Sequence, residues 1–291
     1  MWTAATVAEL REQRRSLGGH VALVPTMGAL HEGHLSLIDA GRQLADHVIV
    51  SLFVNPTQFG PSEDFDKYPR PVEADLAACR ARDVDGVFMP EVAQMYPPGG
   101  IDTHIDVPLL AREFEATHRP GHFAGVCRVV TKLLNMTQPD FAVFGRKDYQ
   151  QWRIVEAMAA DMAMPVRIVG VDTVREADGL ALSSRNVYLS PEAREHAPGL
   201  YKALCEARML IEEAGETDPH LVEQAMTQVM QAHQVQVDYA AVRHPMTLAQ
   251  LDAIEPQLTG GVVALVAGRL EGVRLLDNML LATTDTARAS A

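Results

Sequence analysis

Short β-rich runs alternate with longer helical patterns up to about residue 172, and this alternation limits the fold more than any other feature. Such a pattern is typical of βαβ units, in which helices cover a mostly parallel sheet. Apolar residues recur at helical spacing from Val126 to Leu134, which predicts an amphipathic helix against that sheet. The strand candidates are Val21 to Pro25, His47 to Val54, Gly86 to Met89, Phe141 to Phe144 and Val166 to Val171. We therefore expect an α/β fold with a Rossmann-like, mostly parallel sheet flanked by helices.

The pattern changes after residue 175. A long helical stretch begins at Ser190, which caps it, with Pro191 in the first turn, and a second helix follows Asp218-Pro219. Three strand-like runs come next, at Val235 to Val242, Val262 to Val266 and Val273 to Leu276. The sequence thus predicts a Rossmann-like domain over residues 1–174 and a smaller C-terminal α+β domain over residues 175–291.

Composition excludes several classes of protein. Hydrophobic residues make up 47% of the 291 residues, which is enough for real cores, and the net charge of −13 opposes binding to nucleic acid or to an anionic membrane. No apolar run approaches the ~20 residues that span a bilayer, and the N-terminal residues read as the start of a surface helix rather than a signal peptide. The three cysteines have no CxxC spacing, so we expect a reducing, cytoplasmic location.

Two histidines follow the first strand in a glycine-containing loop that leads into a helical pattern. Gly28 and Gly33 allow close backbone approach, and His31 and His34 can donate to negative charge on a phosphoryl group. In open α/β sheets ligands bind at the carboxyl ends of strands, so the loop is a candidate nucleotide site. The alternatives are surface histidines or a partial metal site that lacks a third ligand. The GxGxxG and GxxxxGK[ST] phosphate loops are both absent.

Further candidate segments follow other strands. Gln58, in NPTQFG after the second strand, has the donor and acceptor that suit a small hydroxy acid, although this segment is equally typical of a turn. Lys147 and Asp148 follow the strand at Phe141. Lys147 could hold a pyrophosphate, and Asp148 could bind a ribose hydroxyl or help place a metal-bound phosphate, but both could also simply form a charged helix start. The segment that ends at Ser183-Ser184-Arg185 could cradle phosphate from the second domain, or be a polar hinge. His118 to Phe123 places basic groups before a helix, where capping is the alternative.

Five segments in this order resemble one family. They are PTMGALHEGH (25–34), FVNPTQFG (53–60), HRPGHFAGV (118–126), FGRKDYQQ (144–151) and LSSRN (182–186). Together they closely resemble pantothenate synthetases, also called pantoate–β-alanine ligases, which belong with the HIGH-motif nucleotidyl transferases and aminoacyl-tRNA synthetases. The resemblance implies an ATP-dependent, Mg²⁺-dependent ligase. Such an enzyme condenses (R)-pantoate with β-alanine through a pantoyl adenylate and releases pyrophosphate and AMP.

The resemblance also implies residue roles. The catalytic residues would be His34, His31, Lys147 and Arg185, with His34 as the proton donor. The ATP-binding residues would be Met27, Gly28, Ala29, Leu30, His31, Glu32, Gly33, His34, Gly145, Arg146, Lys147, Asp148, Val174, Leu182, Ser183, Ser184 and Arg185. Pantoate would be held by Gln58, Gln151 and Met27. Residues 1–174 would thus bind ATP and pantoate, and residues 175–291 would act as a lid.

The protein departs from the family pattern at Arg146, where Glu is frequent, and at Leu182, where Met is frequent, so altered affinity is expected at most. The family likeness suggests a homodimer and identifies no protein ligand for a metal. The charges of His31, His34, Lys147 and Arg185 would provide the positive potential that a triphosphate requires. Two other functions stay open: another nucleotidyl transferase of the same superfamily, or a non-catalytic nucleotide-binding regulator.

Overall fold

The computed structural model describes residues 1–283 apart from Ser62, Asp64, Ile101, Pro256 and Gln257. The chain forms two compact units, Met1–Thr173 and Val174–Ala291. In the described part, no helix is both long enough and apolar enough to cross a membrane.

The first unit holds a six-stranded sheet in which all neighbouring strands run parallel, as predicted. Its strands are β1 (Trp2–Ala4), β2 (Val21–Thr26), β3 (His47–Leu52), β4 (Gly86–Phe88), β5 (Phe141–Gly145) and β6 (Arg167–Val171). Their order across the sheet is β1-β4-β3-β2-β5-β6. The chain leaves β2 toward β3 on one side and later places β5 on the other side. Such a reversal opens a crevice at the carboxyl ends of the two central strands, here β2 and β5.

Helices lie between these strands, and the amphipathic helix predicted from residue 126 is confirmed as part of α6. The helices are α1 (Val7–Ser16), α2 (Glu32–Leu44), α3 (Val72–Ala81), α4 (Val92–Met95), α5 (Glu115–His118), α6 (His122–Thr137) and α7 (Tyr149–Asp161). Short 3-10 turns follow β3 at Pro56–Gln58 and β5 at Arg146–Asp148. The segments that follow β3 and β5 therefore each contain a short helical turn.

The core of this unit surrounds β2. Val21 to Val24 have no exposed surface, because a parallel strand with helices on both faces is buried on both sides. Ile38 of α2 packs in one cluster with Val24 and with Val50 of β3. This packing fixes the point at which β2 ends and its loop begins.

The N-terminus differs from the prediction of a surface helix. Trp2–Ala4 forms β1, which pairs with β4 at the edge of the sheet, and the helix begins only at Val7. Thr6 caps that helix in a reciprocal pair with Glu9. A three-residue strand is too short to show a periodic pattern, and its place is decided by the Trp2 ring lying over Gly86, where a Cβ would come within 2.1 Å of the ring.

The second unit joins helices to a three-stranded antiparallel sheet in the order β7-β8-β9, in agreement with the predicted α+β arrangement. Its elements are α8 (Pro191–His196), α9 (Gly199–Arg208), α10 (Pro219–Ala232), β7 (Gln236–Arg243), β8 (Val262–Leu270) and β9 (Val273–Leu281). The helical stretch predicted from Ser190 is divided, since Pro198 lies between α8 and α9. Leu204, Met226 and Val266 share one buried cluster, which packs the helices on the sheet.

Candidate active site

The loop that follows β2 is shaped by two residues with left-handed backbone and by a buried carboxylate. Gly28 has φ of +87° and Ala29 has φ of +51°, a region that is strained for alanine. Asp75 of α3, which is 3% exposed, accepts hydrogen bonds from the backbone N–H groups of Ala29 and Leu30 at 2.9 and 2.8 Å. These bonds stabilise the strained turn. The two N–H groups are therefore already paired within the protein, in contrast to the free amides expected at a phosphate-binding helix start.

His31 and His34 cap the start of α2 reciprocally. The backbone N–H of Gly33 donates to Nδ1 of His31 at 3.2 Å, and the backbone N–H of His31 donates to Nδ1 of His34 at 3.4 Å. Since both Nδ1 atoms accept, each neutral ring carries its proton on Nε2. The ring centroids are 4.1 Å apart. The HxxH pattern thus builds a pair of adjacent Nε2–H donors in a fixed tautomer, and the same geometry caps the helix.

The electrostatics of this pair leave both rings uncharged at neutral pH. Burial, followed by the neighbouring His31, lowers the pKa of His34 to about 3. Burial and the charge of Lys147 also lower the pKa of His31, with a smaller opposing effect of Asp148. The expectation that both histidines supply positive charge is therefore wrong for the free protein. In the first unit that charge comes from Lys147, and the imidazoles contribute hydrogen-bond donors.

The segment after β5 lies beside the histidines, as the topology requires. Lys147 and Asp148 stand in the 3-10 turn directly after Gly145 and both influence the two imidazoles. Nζ of Lys147 is 3.6 Å from Oδ1 of Asp148. The loops after β2 and β5 therefore meet at the switch point of the sheet.

Arg146, the neighbour of Lys147, occupies different surroundings. Its guanidinium pairs with Asp172 at 2.8 Å and lies over the Trp152 ring, 5.2 Å from the centroid. The cation at this position, where the family resemblance led us to expect a glutamate, thus has its own acidic and aromatic partners. These contacts hold the Arg146 side chain beside the end of β6.

Two of the residues predicted to hold pantoate contact each other. Nε2 of Gln58 donates to Sδ of Met27 at 3.4 Å, which joins the turn after β3 to the loop after β2. Oε1 of Gln58 accepts from Nδ2 of Asn55 at 3.0 Å. Asn55 is 1% exposed and also caps the turn, its Oδ1 accepting from the hydroxyl of Tyr96 at 2.9 Å. Both the oxygen and the nitrogen of the Gln58 side-chain amide therefore have a partner, which fixes the orientation of the amide.

Gln151, the third predicted pantoate residue, is half-buried on the first turn of α7. Its neighbour Gln150 is 5% exposed; it accepts from the N–H of Glu115 at 3.1 Å and donates to the carbonyl of Leu110 at 2.8 Å. Gln150 thus fastens α7 to the loop that precedes α6, through Leu110 and Glu115.

The candidate ATP-binding segment of the second unit forms a compact turn. Leu182 donates its backbone N–H to the carbonyl of Val174 at 3.0 Å, which brings these two predicted residues together. Oγ of Ser183 accepts from the N–H of Arg185 at 3.3 Å and caps the 3-10 turn that contains Ser184. Asn186 donates to the carbonyl of Ala181 at 3.1 Å and closes the turn. Ser183, Ser184 and Arg185 therefore lie in a turn that is closed by hydrogen bonds.

Asp75 and Asn55 shape the candidate site, although the sequence predicted no role for either residue. Asn55 carries a local signal, since an asparagine before a proline after a strand is typical of a capped turn. Asp75 lies 46 positions from Ala29 along the chain and carries no local signal. In the residues that the structure describes, no group of three or more His, Cys, Asp or Glu side chains is arranged to hold a metal ion.

The family model of pantoate-β-alanine ligases matches residues 2–280. The chain belongs to this family. A pantothenate synthetase of Rhizobium rhizogenes is 50% identical over 285 residues, which cover 97% of this chain and 96% of that protein. This pantoate-β-alanine ligase family member is also similar to the crystal structure of pantothenate synthetase from Thermus thermophilus. That structure has a TM-score of 0.89 and 45% identity, and the match covers 97% of this chain and all of the other.

A second solved structure is the pantoate-β-alanine ligase of Francisella tularensis, complexed with beta-gamma ATP and beta-alanine. Its TM-score is 0.79 at 32% identity, and the match covers 96% of this chain and 97% of the other. The family's parallel sheet with a smaller C-terminal sheet is thus the fold of this chain.

Proposed function

We propose that this protein condenses (R)-pantoate with β-alanine to form pantothenate, using ATP and releasing AMP and pyrophosphate. The observation that carries the proposal is the pair of Nε2–H donors on His31 and His34, held beside Lys147 at the switch point. Membership of the family and the relative solved with ATP and β-alanine support the same substrates.

ATP is proposed to bind to the loops after β2 and β5 of the first unit. His31, His34 and Lys147 would face the phosphates and Asp148 the ribose. Met27, Gly28, Ala29, Leu30, Glu32, Gly33, Gly145 and Arg146 complete the proposed ATP-binding set of this unit. In the second unit, the family resemblance supports ATP-binding roles for Val174, Leu182, Ser183, Ser184 and Arg185. Because Asp75 already pairs with two amides of the first loop, side-chain donors carry most of the phosphate contact in the first unit.

The first chemical step is an in-line displacement. The pantoate carboxylate attacks the α-phosphorus of ATP, the bond to the bridging oxygen breaks, and pyrophosphate leaves. Charge accumulates on the non-bridging oxygens of the α-phosphate, where fixed N–H donors stabilise the transition state more than the ground state. The Nε2–H groups of His31 and His34 meet this need, and Lys147 neutralises the phosphates.

The second step forms the amide. The β-alanine amine attacks the carbonyl carbon of the pantoyl adenylate, AMP leaves with the bonding electrons, and the amine proton goes to solvent. Gln58 and Gln151 are proposed to hold the hydroxyls and carboxylate of pantoate, with Met27 against its dimethyl group. This step depends on positioning, because adenylation has already provided a good leaving group.

Mg²⁺ is proposed to enter as its complex with ATP. Mg²⁺ in nucleotide sites is commonly held by phosphates and water with few protein ligands, which fits a described part that offers no three-ligand cluster. A homodimer is proposed on the family resemblance, and light scattering of the purified protein tests it. A cytoplasmic location is proposed on the cysteine pattern.

The decisive experiment measures AMP and pyrophosphate release from ATP and Mg²⁺, omitting pantoate and β-alanine in turn. We expect multiple-turnover AMP formation only when both are present, with pantothenate as the co-product. AMP transfer to another acceptor would indicate a different nucleotidyl transferase. ATP binding without AMP formation under any of these conditions would indicate a regulator.

A further inference from the structure

His122 is a buried histidine whose contacts lead directly to Gln58. It is the first residue of α6, is 5% exposed, and places Nδ1 at 2.8 Å from the backbone carbonyl oxygen of Gln58. Its Nε2 lies 3.0 Å from a terminal nitrogen of Arg119. The basic segment from His118 to Phe123 therefore contacts the turn that carries Gln58.

These two contacts fix the tautomer of His122. A carbonyl oxygen only accepts and a guanidinium only donates, so Nδ1 must carry the proton and Nε2 must accept. Burial and the charge of Arg119 lower the pKa of His122 to about 4, which keeps the ring neutral at physiological pH. The imidazole thus accepts a hydrogen bond from Arg119 and donates one to the carbonyl oxygen of Gln58.

Arg119 is itself held by a carboxylate. Its Nε and a terminal nitrogen donate to the two oxygens of Glu63 at 2.8 and 2.9 Å, in the planar, two-bond geometry that suits Arg and carboxylate. Glu63, Arg119 and His122 therefore form a chain of hydrogen bonds that ends on the Gln58 backbone, and the bonds made by Arg119 are charge-assisted.

The turn that carries Gln58 also has close backbone contact with α6. A Cβ at Gly125 would come within 2.2 Å of the Thr57 carbonyl oxygen and 2.7 Å of the Gln58 nitrogen. Asn55 holds the side-chain amide of Gln58, and His122 holds its backbone. Asn55 thus orients the side-chain amide of Gln58, and His122 fixes the backbone to which that side chain is attached.

We propose that His122 is a positioning residue, which acts through the Gln58 backbone carbonyl to set where the Gln58 amide meets the pantoate substrate. This inference rests on the proposed function, because it assigns pantoate to Gln58. It predicts a larger change in KM for pantoate than in Kd for ATP. The hydrogen bonds of Glu63, Arg119 and His122 lead to Gln58, whose contact with the loop after β2 is made to Met27, the residue proposed to pack on pantoate.

Two variants separate the contacts of His122. The Asn side-chain nitrogen lies at the same bond distance from Cβ as Nδ1, so His122→Asn keeps the donor to Gln58 and loses the acceptor for Arg119. The Gln side-chain oxygen is placed like Nε2, so His122→Gln keeps the acceptor for Arg119 and loses the donor to Gln58. We expect His122→Gln to raise KM for pantoate by about tenfold and His122→Asn by about twofold or less, because small displacements of a positioning group are costly.

The readouts are KM for pantoate in the AMP assay and Kd for ATP by calorimetry without pantoate. Gln58→Ala gives the reference, since it must raise KM for pantoate if Gln58 binds that substrate. His47→Gln is the matched control: His47 starts β3 at the opposite end of the sheet and pairs with Asp85. We expect it to leave both constants unchanged.

Four outcomes are informative. A selective rise in pantoate KM for His122→Gln, with His122→Asn near wild type, supports the positioning role. Equal losses of pantoate and ATP binding in both variants would indicate general structural damage and overturn it. The positioning role is also overturned if the wild type is active and Gln58→Ala raises KM for pantoate, but His122→Gln keeps the wild-type KM. A wild type that forms no AMP with pantoate overturns the proposed function instead.

Discussion

Asp75 accepts a hydrogen bond from the backbone N–H of Leu30 at 2.8 Å, and its second oxygen accepts from Ala29 at 2.9 Å. A buried carboxylate thus holds the strained turn that leads to His31. Asp75→Asn keeps the shape but replaces one acceptor oxygen with a donor that faces an N–H group, so one backbone donor loses its partner at a cost of about 1–3 kcal/mol.

We expect Asp75→Asn to weaken ATP binding by about tenfold, because the turn relaxes and moves the histidine donors. Calorimetry with ATP measures the loss. Glu73→Gln removes a carboxylate from the same helix at an exposed position and provides the control. An Asp75→Asn variant with the ATP affinity of the control would show that the carboxylate does not position the loop.

His34 offers a second paired test. His34→Asn keeps an acceptor for the His31 N–H but has no donor at the position of Nε2, whereas His34→Gln has that donor and loses the cap. We expect His34→Asn to lower kcat by roughly 10² to 10³, the cost of one transition-state donor, and His34→Gln to lose less. Rapid-quench measurement of pyrophosphate release reports the adenylation step. A larger loss in His34→Gln would show that the cap matters more than the donor.

The segments that form the candidate site could be read from the sequence because their signals are local. HxxH after β2 and Gly-Arg-Lys-Asp after β5 each follow a strand, and parallel strands place their carboxyl ends at one edge. The sequence also indicated that Gln58 suits a small hydroxy acid, and it lies against Met27. The sequence therefore predicted which segments follow the strands, because the signal for each segment lies in a few consecutive residues.

The supporting contacts could not be predicted, because they join residues far apart in the chain. Asp75 reaches Ala29 across 46 positions, and His122 reaches Gln58 across 64. A single sequence gives no measure of such pairings. The neutral state of His34 has the same origin, since it depends on burial by the folded chain rather than on the residue type.

Stability should fall with acid in a window set by the histidines. The folded pKa of His122 is about 4, below the ordinary histidine value near 6.5, so the unfolded chain takes up a proton first as the pH falls. The free energy of unfolding then decreases from about pH 6.5 and stops responding to His122 below about pH 4. His34 adds to this dependence, since its pKa lies at about 3.

Urea unfolding at pH 7, 6 and 5 tests this dependence, since the carboxylates titrate mainly below that window. His122→Gln removes one titrating group, so its stability should decline less steeply, by at most about 1.4 kcal/mol per pH unit. Parallel stability curves for wild type and variant between pH 6.5 and 5 would contradict the neutral, buried state of His122.

The contact of α6 with the Pro56–Gln58 turn predicts an unusual response to alanine. In an exposed helix interior, Gly→Ala stabilises by about 1 kcal/mol. At Gly125 the added Cβ would lie 2.2 Å from the Thr57 carbonyl oxygen, a backbone atom that moves only with its turn. Gly125→Ala should therefore lower the free energy of unfolding by about 1–3 kcal/mol, as overpacking does.

Gly41 of α2 is the matched control, because it is a buried helical glycine whose added Cβ would lie 3.4 Å from the Ala22 and Val48 side chains. At that distance contact is ordinary, so Gly41→Ala should change stability by less than about 1 kcal/mol. Gly125→Ala should also raise KM for pantoate, since the displaced turn carries Gln58. If Gly125→Ala is as stable as Gly41→Ala and keeps the wild-type KM, α6 does not set the position of Gln58.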